Sequence, residues 1–83
     1  MEALILLKLK SESSPIDIMN ELIKIDNVQE CMFVAGEWPV ILRVNVENME
    51  EISSIVINKL SKYNIQDTDT ILILEKVSKN GKR

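Results

Sequence analysis

Hydrophobic and polar positions along the chain switch between a period of two and a period near 3.6, and each switch marks an element boundary. Ala3-Leu4-Ile5-Leu6-Leu7-Lys8-Leu9-Lys10 opens as an unbroken apolar run and passes into alternation. Its spacing puts Ala3, Ile5, Leu7 and Leu9 on one face and Leu4, Leu6, Lys8 and Lys10 on the other, so it predicts a strand apolar on both sides at its start. Ser11 to Pro15 breaks this pattern. Ser14 as cap, Pro15 as first helical residue and Asp17 in the first turn predict a helix start, and Ile16, Met19, Leu22 and Ile23 predict one buried stripe ending near Ile25. Asp26-Asn27 reads as a turn.

Val28–Ala35 and Val40–Val46 are two β-like runs around Gly36-Glu37-Trp38-Pro39. A four-residue loop there predicts a hairpin in which Ala35 faces Val40, and the pairs Val34/Ile41, Phe33/Leu42, Met32/Arg43, Cys31/Val44 and Glu30/Asn45 follow. That register gathers Cys31, Phe33, Ala35, Val40, Leu42 and Val44 on one apolar face, and a slip of one residue would destroy the sorting. Asn48 with Glu51 predicts a capping box opening a second helix, buried through Met49, Ile52, Ile55, Val56 and Leu60, with Tyr63 near its end. Asn64 and Asp67 bracket a turn, and Thr68-Asp69-Thr70-Ile71-Leu72-Ile73-Leu74 reads as a last strand.

The order strand, helix, strand, strand, helix, strand is that of an α+β, ferredoxin-like βαββαβ domain with a four-stranded antiparallel sheet. Its first and third strands are central, and both helices cover one sheet face. The other face is expected to carry Leu4, Leu6, Met32, Val34, Ile41 and either Ile71 with Ile73 or Leu72 with Leu74. An exposed apolar patch of that kind marks an interface, and it predicts dimers formed sheet against sheet, in the manner of a dimeric α/β barrel.

Length is consistent with one domain at residues 1–75, followed by a basic, disordered tail at 76–83. Four of the ten basic residues sit in that tail, which leaves residues 1–75 with a net charge of minus seven and argues against direct nucleic-acid binding. No apolar run is long enough to span a membrane, and the start lacks a signal-peptide pattern, so a cytoplasmic protein is expected.

The chain has no His, a single cysteine, Cys31, and no glycine-rich phosphate loop. The usual general base, metal ligand set and phosphate cradle are therefore missing, and no catalytic residue, metal or cofactor is expected. Cys31 reads as a structural thiol, and Glu30 near Arg43 as a surface or interface ion pair. Two places stand out. Gly36 permits a positive φ, Pro39 stiffens the loop exit, and Trp38 puts a large amphipathic ring at the hairpin tip, where it packs on its own domain or on a partner. Thr68-Asp69-Thr70 offers donors and acceptors suited to a small zwitterion, or is simply a strand start chosen for β propensity.

With these residues in place, the run from Ala3 to Glu75 resembles the effector-binding domain of the Lrp/AsnC transcription regulators, often called the RAM domain. The apolar opening strand, the exit Asp26-Asn27-Val28-Gln29-Glu30, the helix start Asn48-Met49-Glu50-Glu51 and the last strand Thr68 to Glu75 all match, and Val34-Ala35-Gly36-Glu37-Trp38-Pro39 stands in place of the family's Gly-Asp-aromatic-Asp tip. No helix-turn-helix precedes Met1, so the chain resembles a stand-alone form. The resemblance implies homodimers assembled into rings of dimers, association with full-length Lrp/AsnC regulators, and a small amino-acid-like effector bound between dimers. Carried onto this chain, it places Gly36, Glu37 and Trp38 on the tip side of the site and Thr68, Asp69 and Thr70 on the strand side. The family's second tip acid, which would receive an effector's ammonium, is Pro39 here. Rival readings are the amino-acid-binding ACT module of a metabolic enzyme, an assembly module with no ligand and, last, a small enzyme relying on a carboxylate or Tyr63.

Overall fold

The computed structural model describes residues 1–79. Its elements are β1 (Glu2–Leu9), α1 (Pro15–Leu22), β2 (Val28–Phe33), β3 (Val40–Asn45), α2 (Met49–Ser54), a π turn at Ile55–Lys59, a 3-10 turn at Leu60–Lys62, and β4 (Ile65–Leu72). The strands form one antiparallel sheet in the order β2-β3-β1-β4, so β1 and β3 are central as the topology requires. The tail expected at 76–83 extends over residues 80–83, which lie outside the described residues.

β1 carries the core. Ala3, Ile5 and Leu7 are fully buried against the helices, facing Val44, Leu42 and Val40 of β3, which are buried as well. Each Ile- or Leu-sized side chain taken out of water contributes about 1.5–3 kcal/mol. α1 starts as its residues dictate: the Ser14 Oγ accepts a hydrogen bond from the Asp17 N–H at 3.3 Å, and Pro15 occupies the first helical position. Its buried stripe differs from the expected one. Ile18 and Leu22 are buried, with Met19 packed against them, whereas Ile16 and Ile23 are about half exposed. Ile18 lies one turn before Leu22, but Ile16 is six residues away, about 120° round the helix, and Ile23 about 100°.

The hairpin is shifted by two residues from the expected register. Phe33 pairs with Val40, Met32 with Ile41, Cys31 with Leu42 and Glu30 with Arg43, so residues 34–39 form the loop, closed by a 2.8 Å bond from the Val34 N–H to the Pro39 carbonyl. The side-chain period is two, so an even slip preserves the apolar sorting, and only the loop contacts distinguish the two registers. A bulge at Gln29 returns Val28 to the core face opposite Val44. Phe33, on the same face, sits beyond the cover of α1 and is 57% exposed. Gly36 does not adopt a positive φ, and a Cβ there would meet nothing within 4 Å, so the glycine is not demanded by backbone geometry.

α2 opens with the expected box: the Asn48 Oδ1 accepts from the Glu51 N–H at 3.0 Å, and the Glu51 Oε1 reaches back to the Glu47 N–H at 2.8 Å. Ile52, Ile55 and Leu60 are buried, with Val56 and Tyr63 partly so, while Met49 turns out to be half exposed. Ile55 and Leu60 are five residues apart, about 140° round a regular α-helix. The π turn, in which the Leu60 N–H donates to the Ile55 carbonyl, brings both onto the sheet. β4 starts three residues before the expected Thr68. A register shift at Lys8/Leu9 lets Ile65 pair with Leu9, and the turn closes at Tyr63-Asn64 instead.

Leu60→Ala should cost about 2–5 kcal/mol in urea denaturation, while Ile57→Ala, three residues away on the outer side of the π turn, should change stability by less than about 0.5 kcal/mol. Equal losses would place both residues on the buried face and rule out the π turn.

Candidate effector site at the hairpin tip

The face left open by the helices carries Leu4 and Leu6 of β1, Met32 of β2, Ile41 of β3 and Ile71 of β4, since Leu6 pairs with Ile41, Ile41 with Met32, and Leu4 with Ile71. Of the two alternatives for β4, Ile71 takes this face and Leu72 packs against the core. At one end of the face Arg43 holds two carboxylates, Nη1 to the Glu2 Oε2 at 2.7 Å and Nε to the Glu30 Oε1 at 2.9 Å, and the Lys76 Nζ reaches the other Glu2 oxygen at 2.9 Å. The Glu30–Arg43 pair expected from the sequence is therefore one arm of a four-residue network. Lys76 and Arg43 together hold the Glu2 carboxyl below its ordinary pKa of 4.5. Glu30 and Glu2 in turn push the pKa of the Arg43 guanidinium further up.

At the other end the six-residue loop folds back onto β1. The Lys8 Nζ donates to the Glu37 Oε2 at 3.1 Å and stands 4.7 Å from the centroid of the Trp38 ring. Trp38 thus packs on its own domain and is half-buried there. Lys8 is the residue that sequence reasoning left out of the site. Its place on the same face as Leu4 and Leu6 was visible in the alternation of β1, but its partner depends on how far the loop reaches.

β4 divides the strand-side residues. Asp69 pairs with Leu6 and Asp67 with Lys8, so both aspartates are on the open face near the tip. Thr68 and Thr70 pair with the buried Leu7 and Ile5, so their side chains face the helices. Along this edge strand the Thr68 and Thr70 N–H groups are answered by the carboxylates of the preceding Asp67 and Asp69, each at 2.9 Å, which covers an edge that would otherwise offer free donors. Thr68 also borders an open groove of about 240 Å³ between the π turn and β4, with Val56, Leu60 and Ile65 as its apolar wall and Ser61, Gln66 and Asp67 at its rim. Within one chain, Glu37, Trp38 and Asp69 therefore share one face, Thr68 and Thr70 occupy the opposite one, and Gly36 is exposed in the loop.

Cys31 is half-buried and points toward α1, its thiol donating to the Met19 carbonyl at 3.8 Å, and burial pushes its pKa up. Among the described residues no group of three or more His, Cys, Asp or Glu is placed to hold a metal ion, and no helix is long and apolar enough to cross a membrane.

A ferredoxin-like βαββαβ sheet with helices on one side only, and a hairpin tip folded back onto its central strand, defines the class of fold. Residues 2–82 match the family model of the Lrp/AsnC ligand binding domain, and the chain belongs to that family. An HTH-type transcriptional regulator of Pyrococcus furiosus is 43% identical over 44 residues, which cover 53% of this chain and 29% of that protein. The match thus spans less than a third of the regulator's length. Among solved structures, a hypothetical protein of Pyrococcus horikoshii superposes with a TM-score of 0.76 at 29% identity, covering 89% of this chain and 90% of its own. A transcriptional regulator of Neisseria meningitidis in complex with L-Met shares the fold, with a TM-score of 0.82 at 19% identity, over 93% of this chain and 51% of its own.

Glu2 is the group whose titration should be felt in stability. Its folded pKa is lowered, so its contribution is present above the unfolded value and is lost as the pH falls through the folded one. Thermal melts from pH 7 into the acid range should show the native chain losing its margin over Glu2→Gln below about pH 4.5 and the two converging at the acid end. Parallel profiles would mean that the network adds nothing.

Proposed function

We propose that this chain is a cytoplasmic, non-enzymatic sensing module of the Lrp/AsnC type, which assembles through its open sheet face and takes a small amino-acid-like effector between dimers in a higher oligomer such as a ring. It acts on transcription through full-length relatives rather than by touching DNA, as the net charge of minus seven in residues 1–75 suggests. The observation that carries this reading is the division of the candidate residues: Glu37 and Trp38 are on one face of a sheet whose other face holds Thr68 and Thr70. No single chain joins the two halves, so a site made of both needs the tip of one copy against the β4 edge of another. The complex of the Neisseria regulator with L-Met supports an amino acid as the effector class.

A purely structural assembly module is the second reading. It is favoured by Lys8, which already occupies Glu37 and the Trp38 face. A ligand-dependent change in oligomer mass, read by native mass spectrometry against a mixed amino-acid pool, separates the two.

Light scattering should report a dimer or larger at micromolar concentration, and Ile41→Lys, which places a charge in the middle of the open face, should shift the chain toward monomer at least tenfold. A native monomer at that concentration would overturn assembly through this face. Binding is tested at Pro39. A charge-assisted hydrogen bond contributes about 1.5–3 kcal/mol, so Pro39→Asp should strengthen amino-acid binding about ten- to a hundredfold in calorimetry. Tight binding by the native chain, undiminished by Glu37→Gln or Asp69→Asn, would place the site elsewhere.

A further inference from the structure

The hairpin tip combines the two groups that recognise an alkylammonium ion, a carboxylate and an aromatic face, and an ammonium is already seated between them. The Lys8 Nζ is 3.1 Å from the Glu37 Oε2 and 4.7 Å from the Trp38 centroid. Glu37 is the tip's only acid, with Pro39 following the tryptophan, so this one lysine engages all of the cation-binding capacity of the loop. The surroundings are otherwise negative: Asp67 faces Lys8 across the β1–β4 pairing and Asp69 is one pair further along the same face. Glu37 and the indole are thus the two groups against which the ammonium rests, while the Asp67 and Asp69 carboxylates, bonded to the Thr68 and Thr70 N–H groups, add negative charge on the same face.

We infer that Glu37 and Trp38 form an alkylammonium-binding site that is occupied in cis by Lys8, and that Lys8 is the residue which decides what the site accepts. The proposal rests on the effector-sensing reading and deepens it by naming the ligand group concerned. A tethered ammonium competes at an effective concentration on the order of millimolar, so a free ligand bearing an ammonium must displace it before it is bound. Ligands that merely add an ammonium are thereby excluded at low concentration. Only those with further contacts, such as a side chain reaching the partner copy's groove, overcome the lysine.

The chain's single tryptophan is the reporter. Its fluorescence is titrated with propylammonium chloride at constant ionic strength, with sodium propionate as the anionic control, on the full chain. Lys8→Met keeps the aliphatic stem and removes the charge, with Lys8→Gln as a second variant should the first fail to fold. The native chain should respond weakly. Either variant should bind propylammonium about tenfold more tightly, the combined worth of an exposed ion pair and a surface cation–π contact. Adding Glu37→Gln should abolish the gain, and propionate should elicit none. No gain on removing Lys8, or an equal response to propionate, would overturn the inference. Calorimetry of the native and Lys8→Met chains against an amino-acid panel keeps the two levels apart. Propylammonium binding by Lys8→Met with no amino acid bound by either chain would keep the site and sink the effector reading. Amino-acid binding by the native chain that Lys8→Met leaves unimproved would do the reverse.

Discussion

Strand β1 has to satisfy two solvents at once, and the rest of the molecule follows from how it does so. It is hydrogen-bonded on both edges, to β3 and to β4, so its register fixes where every other strand's side chains point. On the helix side, Ala3, Ile5 and Leu7 are fully buried and set the depth at which Ile18, Leu22, Ile52, Ile55 and Leu60 pack. On the other side the same strand presents Glu2, Leu4, Leu6 and Lys8, which run from the Arg43 network at one end, through an apolar middle, to the hairpin tip at the other. Two helices are too few to cover both faces of a four-stranded sheet. The exposed face is thus a consequence of the topology, and its chemistry is written in the alternate residues of one strand.

Much of this was legible in the residues, and the reasons for what was not are specific. Ser14-Pro15 and Asn48 with Glu51 fixed the helix starts because a cap is a local hydrogen bond between residues three apart, needing no tertiary context. Strand order followed from the sequence of elements. The hairpin register did not, because apolar alternation repeats every two residues and is blind to an even slip. The π turn was hidden for a related reason: Ile55 and Leu60 were both expected to be buried, but their five-residue spacing fits a regular helix poorly, and packing resolved the conflict by widening the turn.

The candidate site shows the same division between local and non-local information. Thr68, Asp69 and Thr70 are consecutive in a strand, and consecutive strand residues point to opposite faces, so these three could never converge within one chain. That much follows from the period alone. The contact of Lys8 with Glu37 and Trp38 does not, since Lys8 and Glu37 are 29 residues apart and the contact depends on a loop two residues longer than the four-residue one expected. Asp67 and Asp69 carry a role that the sequence pattern obscures, because each caps a backbone N–H on the edge of β4.

Charge placement on the open face bears on what that face can meet. A twofold interface sets a surface against its own copy, so any unbalanced charge on it faces the same charge and is stripped of water as well. Here Arg43 and Lys76 are matched within the chain by Glu2 and Glu30, and Lys8 by Glu37, so these charged groups arrive at the face already paired. Removing one member would leave its partner both unpaired and desolvated, which costs more than the pair contributes. Asp67 and Asp69, which have no basic partner among the described residues, are at the β4 edge rather than in the middle. In the proposed assembly, a second copy across Leu4, Leu6 and Ile41 leaves the Asp67 and Asp69 carboxylates at the margin, beside the tip.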